Sequence, residues 1–299
     1  MMTLKKWFRL GLGLFILGII LGSSISQAFN SATHIYIADK VFPFTFDKID
    51  LYYGSIAPDI SLYADLEKWP YGFCETHYRF IKLPYRWWNI NEKAFAQGWQ
   101  THNEIWGADF YAHGTCIEFE HFCDMKCNYN GYVNRKAQQL AEIEKFKDYL
   151  YQPPYYELAH FAIEVAIDLL LIDGKDPDLG KKLLKAALFR SPTNFDLMRK
   201  VFVGRSDGYG TDLETLSSAE ATFRDLVIRY AFALTLPENL RMLVLGELGA
   251  EIAKEMGVEI DSVTAMKIIQ AAINLCRYDY YDPIQSAIED IKKKTDLIK

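Results

Sequence analysis

Six histidines stand in this 299-residue chain, at His34, His77, His102, His113, His121 and His160, and most have a carboxylate at a helical spacing. His160 and Glu164 are four residues apart, which on a helix puts them about 40° apart on one face, where both reach one ion. Taken alone, that pair is equally an ordinary acid and imidazole on an amphipathic helix. The run from Gly98 to His113 carries more. Read as one helix, it places His102, Asp109 and His113 at about 0°, −20° and +20°, a narrow stripe flanked by the small residues Gly107, Ala108 and Ala112. His102 and Asp109 then lie roughly 10 Å apart along the axis, so they share an ion only if the helix is interrupted, and Gly107 is the place for the break. A buried polar stripe satisfied by neighbouring helices is the other reading. Asp59, after Pro58, reads as a helix cap or a ligand, and His77, among aromatics, as a packed imidazole or a ligand.

Helices must position these groups. Apolar residues at spacings of three and four predict helices over Ala137–Tyr151, Glu157–Ile172, Gly180–Phe189, Ala219–Leu236, Pro237–Met256, Val263–Cys276 and Pro283–Leu297. No alternating strand series is present, so the expected fold is all-α: a multi-helical core drawing its ligands from several helices. Asp65–Asn91 and Gly114–Tyr132 read as irregular. The clusters Leu51–Tyr53, Tyr155–Tyr156 and Tyr278–Tyr281 read as helix packing, base-stacking surfaces or lipid contacts. A composition of 50% hydrophobic and 24% charged residues excludes disorder, collagen and coiled coil. A formal charge of −6 without a long basic run argues against duplex nucleic acid as a partner. Residues 29–299 are expected to hold the helical domain, with 179–299, which contributes no predicted ligand, either inside it or as an appended helical layer.

Residues 1–28 read as a secretory signal peptide. Lys5, Lys6 and Arg9 precede the apolar stretch Leu10–Leu21, and Ser26-Gln27-Ala28 predicts cleavage before Phe29. Removing three cations moves the formal charge from −6 to −9. An uncleaved signal anchor is the alternative. Export to a periplasmic or extracellular space makes disulfides accessible to Cys74, Cys116, Cys123, Cys127 and Cys276, whose pairing the sequence leaves open. His121 reads best as a surface loop residue.

The order His34, Asp59, His77, His102, Asp109, His113, His160, Glu164, behind a cleavable signal, resembles the zinc-dependent phospholipase C superfamily, which includes single-strand-specific nucleases. In that family the first mature residue ligates through its amino group and carbonyl, with a His a few residues on; Phe29 and His34 take those places. The resemblance implies one ion held by Asp59, His77 and His102. Asp109 bridges to a second, held by the Phe29 backbone and His34, and a third lies between His113, His160 and Glu164. It implies up to three Zn²⁺, which mixed nitrogen and oxygen ligands suit. It also implies phosphodiester hydrolysis by metal-activated water, with Asp59 handling that water's proton. The substrate it implies is a phospholipid or other small phosphodiester, or alternatively single-stranded nucleic acid. Peripheral membrane contact is expected, and no obligate protein partner. The sequence departs from the family in Phe29, where Trp is usual, in the His102–Asp109 and Asp109–His113 intervals, and in a long insertion between His113 and His160. Those departures keep a competing class open, a noncatalytic, metal-stabilised helical envelope protein.

Overall fold

A computed structural model describes residues 30–118, 123–143, 146 and 155–297 of the chain. The signal segment, Phe29 and His121 lie outside the described residues. The architecture is all-α. Helices α1 (Ser31–Val41) and α2 (Lys48–Ile56) lead into a 3-10 helix (Ala57–Tyr63) and a π-helical turn (Cys74–Tyr78). Then follow α3 (Ile90–Gln100), the short α4 (Ala108–His113), α5 (Tyr132–Ala141) and the long α6 (Tyr155–Gly174). The remainder is α7 (Leu179–Phe189), α8 (Pro192–Phe202), α9 (Leu213–Leu234), α10 (Glu238–Glu255), α11 (Ser262–Cys276) and α12 (Tyr281–Leu297).

Local chemistry sets the boundaries. Asp47, Asn89, Asp212 and Asp261 cap α2, α3, α9 and α11, each accepting from amides of the first turn. The helix expected over Ala137–Tyr151 starts earlier, at Tyr132, because the chain enters it directly from extended Gly131, and ends at Ala141; residues 144, 145 and 147–151 of the expected span lie outside the described residues. The expected start of α9 at Ala219 moves back to Leu213, where Asp212 accepts from the Thr215 amide at 2.8 Å. Within Gly114–Tyr132 lies a two-stranded antiparallel ribbon, β1 (Cys116–Glu118) with β2 (Met125–Cys127), in the register Cys116 opposite Cys127. Disulfides Cys116–Cys127 and Cys74–Cys123 close that ribbon and tie it to the π-turn, leaving Cys276 as a buried free thiol. Two disulfides place the chain in an oxidising, extracytoplasmic setting.

One connected set of buried apolar side chains runs from Ala32 to Ile291. In it α2 lies against α3, α6 against α5 and α11, and α9 against α7 and the 3-10 helix. The α2–α3 crossing is close because it is glycine-lined: a Cβ at Gly98 would run into the Leu51 carbonyl. Leu51 and Tyr53 are core residues, and the Tyr53 hydroxyl donates to Glu220 at 2.7 Å. That cluster is packing, whereas Tyr278 stands 90% exposed. Among the described residues no helix is long and apolar enough to cross a membrane.

Candidate metal centre

The interrupted segment is the key to the site. Helix α3 ends at Gln100 and α4 begins at Ala108, with Gly107 at its start. Asn103 builds the break: its Oδ1 accepts from the amides of Ile105, Trp106 and Gly107 at 2.9–3.2 Å. A Cβ at Gly107 would meet the Asn103 backbone at 2.6 Å, so the turn needs glycine there. The Asp109 amide donates to the His102 carbonyl at 3.0 Å. The two side chains, far apart on a continuous helix, therefore meet, with His102 Nε2 3.1 Å from Asp109 Oδ2.

Other elements converge on them. Asp168 of α6 accepts from the Thr33 amide (2.7 Å), the Thr33 hydroxyl (2.6 Å), the Ala32 amide (3.2 Å) and the Tyr230 hydroxyl (2.9 Å), which pins the start of α1 and sets His34 one turn later. His34 Nε2 lies 3.3 Å from Asp109 Oδ1, and the His34 and His102 rings stack at 4.1 Å. Ser61 and Thr76, joined at 3.0 Å between their hydroxyls, hold the 3-10 helix to the π-turn. Asp59 Oδ1 is thereby 3.3 Å from both His77 Nε2 and His102 Nε2. The third group forms where α4 meets α5 and α6: His113 Nε2 is 3.2 Å from His160 Nε2, which is 2.9 Å from Glu164 Oε1.

Three buried groups with metal-ligand spacing result: His34, His102 and Asp109; Asp59, His77 and His102; and His113, His160 and Glu164. All could hold metal ions. Asp109 stands between the first two, with its oxygens toward His34 and His102.

Hydrogen-bond direction tests whether cations fit. His102 Nδ1 donates to the Ser55 carbonyl at 2.8 Å, and His77 Nδ1 lies 2.7 Å from the Thr76 hydroxyl and 3.2 Å from the Phe73 carbonyl, which can only accept from it. His113 Nδ1 donates to Glu104 Oε1 at 2.5 Å, and His160 Nδ1 to Asn134 Oδ1 at 3.0 Å. The Asn134 amide is itself oriented, since its Nδ2 donates to the His113 carbonyl at 2.9 Å. Each neutral ring consequently turns an Nε2 lone pair inward. Lone pairs then face one another at 3.2 Å in both the His77–His102 and His113–His160 pairs. Both Asp109 oxygens, Glu164 Oε2 and both His34 nitrogens are buried without a hydrogen-bond partner. Every ion pair of Asp59, Asp109, Glu104 and Glu164 among the described residues is with a histidine. Inward lone pairs and orphaned carboxylate oxygens in a buried site are what cations compensate.

The titration behaviour agrees. Burial, reinforced by Glu104 and Asp59, pushes the Asp109 carboxyl well above its ordinary value. Burial, with Asp59 and Asp168 nearby, does the same to Glu164. Burial and the adjacent His102 hold His34 well below its ordinary value.

The structure thus gathers His34, Asp59, His77, His102, Asp109, His113, His160 and Glu164, while Phe29 and His121 lie outside the described residues. Sequence reasoning missed the orienting groups Glu104, Asn134, Thr76 and Asp168. Of these only Glu104, an acid inside the run already singled out, carried a signal. Compared with known proteins, the chain matches no family model, and neither a curated protein nor a solved structure is significantly similar to it.

Proposed function

We propose that the protein is an exported zinc-dependent phosphoric diester hydrolase of the phospholipase C type. The observation that carries this reading is the inward convergence of oriented Nε2 lone pairs and orphaned carboxylate oxygens on three adjoining positions. The order of those residues supports it through the resemblance to the zinc-dependent phospholipase C superfamily, and the two disulfides suit an exported enzyme. Asp59, His77 and His102 would hold one ion. His34, Asp109 and the Phe29 terminus would hold a second, and His113, His160 and Glu164 a third. Bound Zn²⁺ supplies a Lewis acid for phosphoryl oxygens and lowers the pKa of water toward neutrality. Asp59, within reach of the ion that it would hold with His77 and His102, would take the proton of the attacking water. Ser55, Phe73, Glu104 and Asn134 keep the rings in the ligating tautomer.

A noncatalytic, metal-stabilised protein is the second reading, and the depth of the site favours it: His34, His102 and Asp109 are fully buried, and His113, at 8% exposure, is the most open member. One experiment separates the two. The zinc-loaded mature protein is assayed on bis(p-nitrophenyl) phosphate, phosphatidylcholine vesicles and single-stranded DNA, beside Asp59→Asn. Turnover abolished by chelation, restored by zinc and lost in the variant supports the hydrolase. Zinc retained without turnover on any of the three supports the structural role.

A further inference from the structure

Helices α1, α2 and α3 carry candidate metal ligands at one end only. His34 lies in the first turn of α1, and Asp59 and His102 lie just beyond the ends of α2 and α3. The opposite ends are the exit of α1 and the entries of α2 and α3. There Asn91 of α3 donates to Asp47, the cap of α2, and to Asp50 Oδ2 at 2.9 Å. The Thr45 hydroxyl donates to Gln97 Oε1 at 3.0 Å. The loops 42–47 and 84–89 are thereby held side by side, away from the metal centre by the length of α3, whose 11 residues span about 16 Å.

Large apolar side chains project from this end. Phe44, Phe46, Trp87, Trp88 and Ile90 are between 54% and 96% exposed, and the two Trp rings meet edge to face at 5.5 Å. Single apolar residues are ordinary on a surface, but five gathered on two adjoining loops mark a contact. The charge around them is one-sided. Lys40, Lys82, Arg86 and Lys93 are exposed, whereas the neighbouring acids are drawn inward: Asp47 caps α2, Asp50 accepts from Asn91, Ser191 and Asn194, and Glu92 accepts from Arg86. No acid of 40–50 or 79–93 is exposed. A chain of formal charge −6 thus shows solvent a cationic, aromatic tip.

We propose that this tip docks on an anionic lipid bilayer, the Phe and Trp rings entering the headgroup boundary and the lysines and Arg86 lying over lipid phosphates. A protein partner would need pockets shaped to these rings. A bilayer needs none, and rings this exposed have little of their own protein to pack on. Docked in this way, the protein holds its metal centre off the surface by roughly the length of α3, so the tip is an anchor and not the route by which a substrate reaches the ions. The inference does not rest on the hydrolase reading.

The test is cosedimentation of the mature protein with vesicles of equal parts phosphatidylcholine and phosphatidylglycerol, beside vesicles of phosphatidylcholine alone. The expected result is binding to the mixed vesicles that weakens with added salt and without phosphatidylglycerol. Each large apolar side chain withdrawn from water is worth roughly tenfold or more, so Trp87→Ala/Trp88→Ala and Phe44→Ser/Phe46→Ser are each expected to bind at least tenfold more weakly, at unchanged Tm. Lys82→Glu/Lys93→Glu is expected to abolish the preference for phosphatidylglycerol. Tyr278→Ser, which alters an exposed ring elsewhere, and Asp59→Asn are expected to bind as the wild type does. No binding by the wild type, or equal binding by the wild type and both aromatic variants, overturns the proposal. Loss of binding in a folded Asp59→Asn overturns it too, by placing the lipid contact at the metal centre. So does a wild type that ignores vesicles and self-associates through these aromatics, which assigns the tip to a second copy of the chain.

Discussion

Glu104 offers a selective perturbation of the metal centre, because it touches one group without belonging to any of the three. Its Oε1 accepts from His113 Nδ1 at 2.5 Å, with both side chains buried, and its amide donates to the His77 carbonyl at 2.9 Å. Glu104→Ala removes the acceptor, so nothing fixes the His113 tautomer that points Nε2 toward His160 and Glu164. A hydrogen bond to a charged group contributes about 1.5–3 kcal/mol. Loss of an outer-shell partner of a metal ligand costs roughly 10–100-fold in affinity, which is the same range. The variant is therefore expected to bind the ion of His113, His160 and Glu164 about 10–100-fold more weakly, with the other ions retained. Glu104→Gln, which still offers an oxygen to Nδ1, is expected to lose under about tenfold. Competition of the protein with a chromophoric zinc chelator reads the three affinities separately. Full retention of all ions by Glu104→Ala, or loss confined to the Asp109 group, would refute the orientation argument.

Metal removal is expected to lower thermal stability sharply. Each ion bound at a thousand times its Kd contributes about 4 kcal/mol, so chelation should drop Tm by more than about 10 °C in calorimetry, and zinc should restore it. The cysteines give a pH-dependent count. Burial pushes the Cys276 thiol up to about 12, so at pH 8 it stays protonated, and the native protein should react with no thiol reagent. Denatured without reductant, the mature chain should show one thiol, and after reduction all five. Gly98→Ala forces a Cβ into the Leu51 carbonyl, and should cost about 1–3 kcal/mol in urea unfolding.

The helical class was legible because α9, α11 and α12 are long and alternate apolar with polar residues at helical spacing. Helices α1 and α2 were not, for a physical reason: nearly every residue of Ser31–Val41 and Lys48–Ile56 is buried. A helix enclosed on all sides shows no amphipathic period. The Gly107 interruption could be inferred from the distance between His102 and Asp109, but the residue that builds it, Asn103, could not, because its role exists only once the turn has formed. The ligand candidates had recognisable types and order. Their orienting partners had neither, since Asp168 meets Thr33 across 135 residues and Asn134 meets His160 across 26. Such contacts have no fixed sequence spacing. The ribbon at 116–127 was hidden for another reason, its three-residue strands being too short to alternate visibly.

The central claim, a buried multi-cation centre completed by the mature N-terminus, is tested most directly by the metal content of the exported protein, measured by plasma mass spectrometry with an intact mass of the same sample. The account predicts close to three zinc ions, one for each group, on a chain beginning at Phe29. A correctly processed, folded chain carrying no metal, and unchanged in stability when zinc is added or chelated, would contradict it.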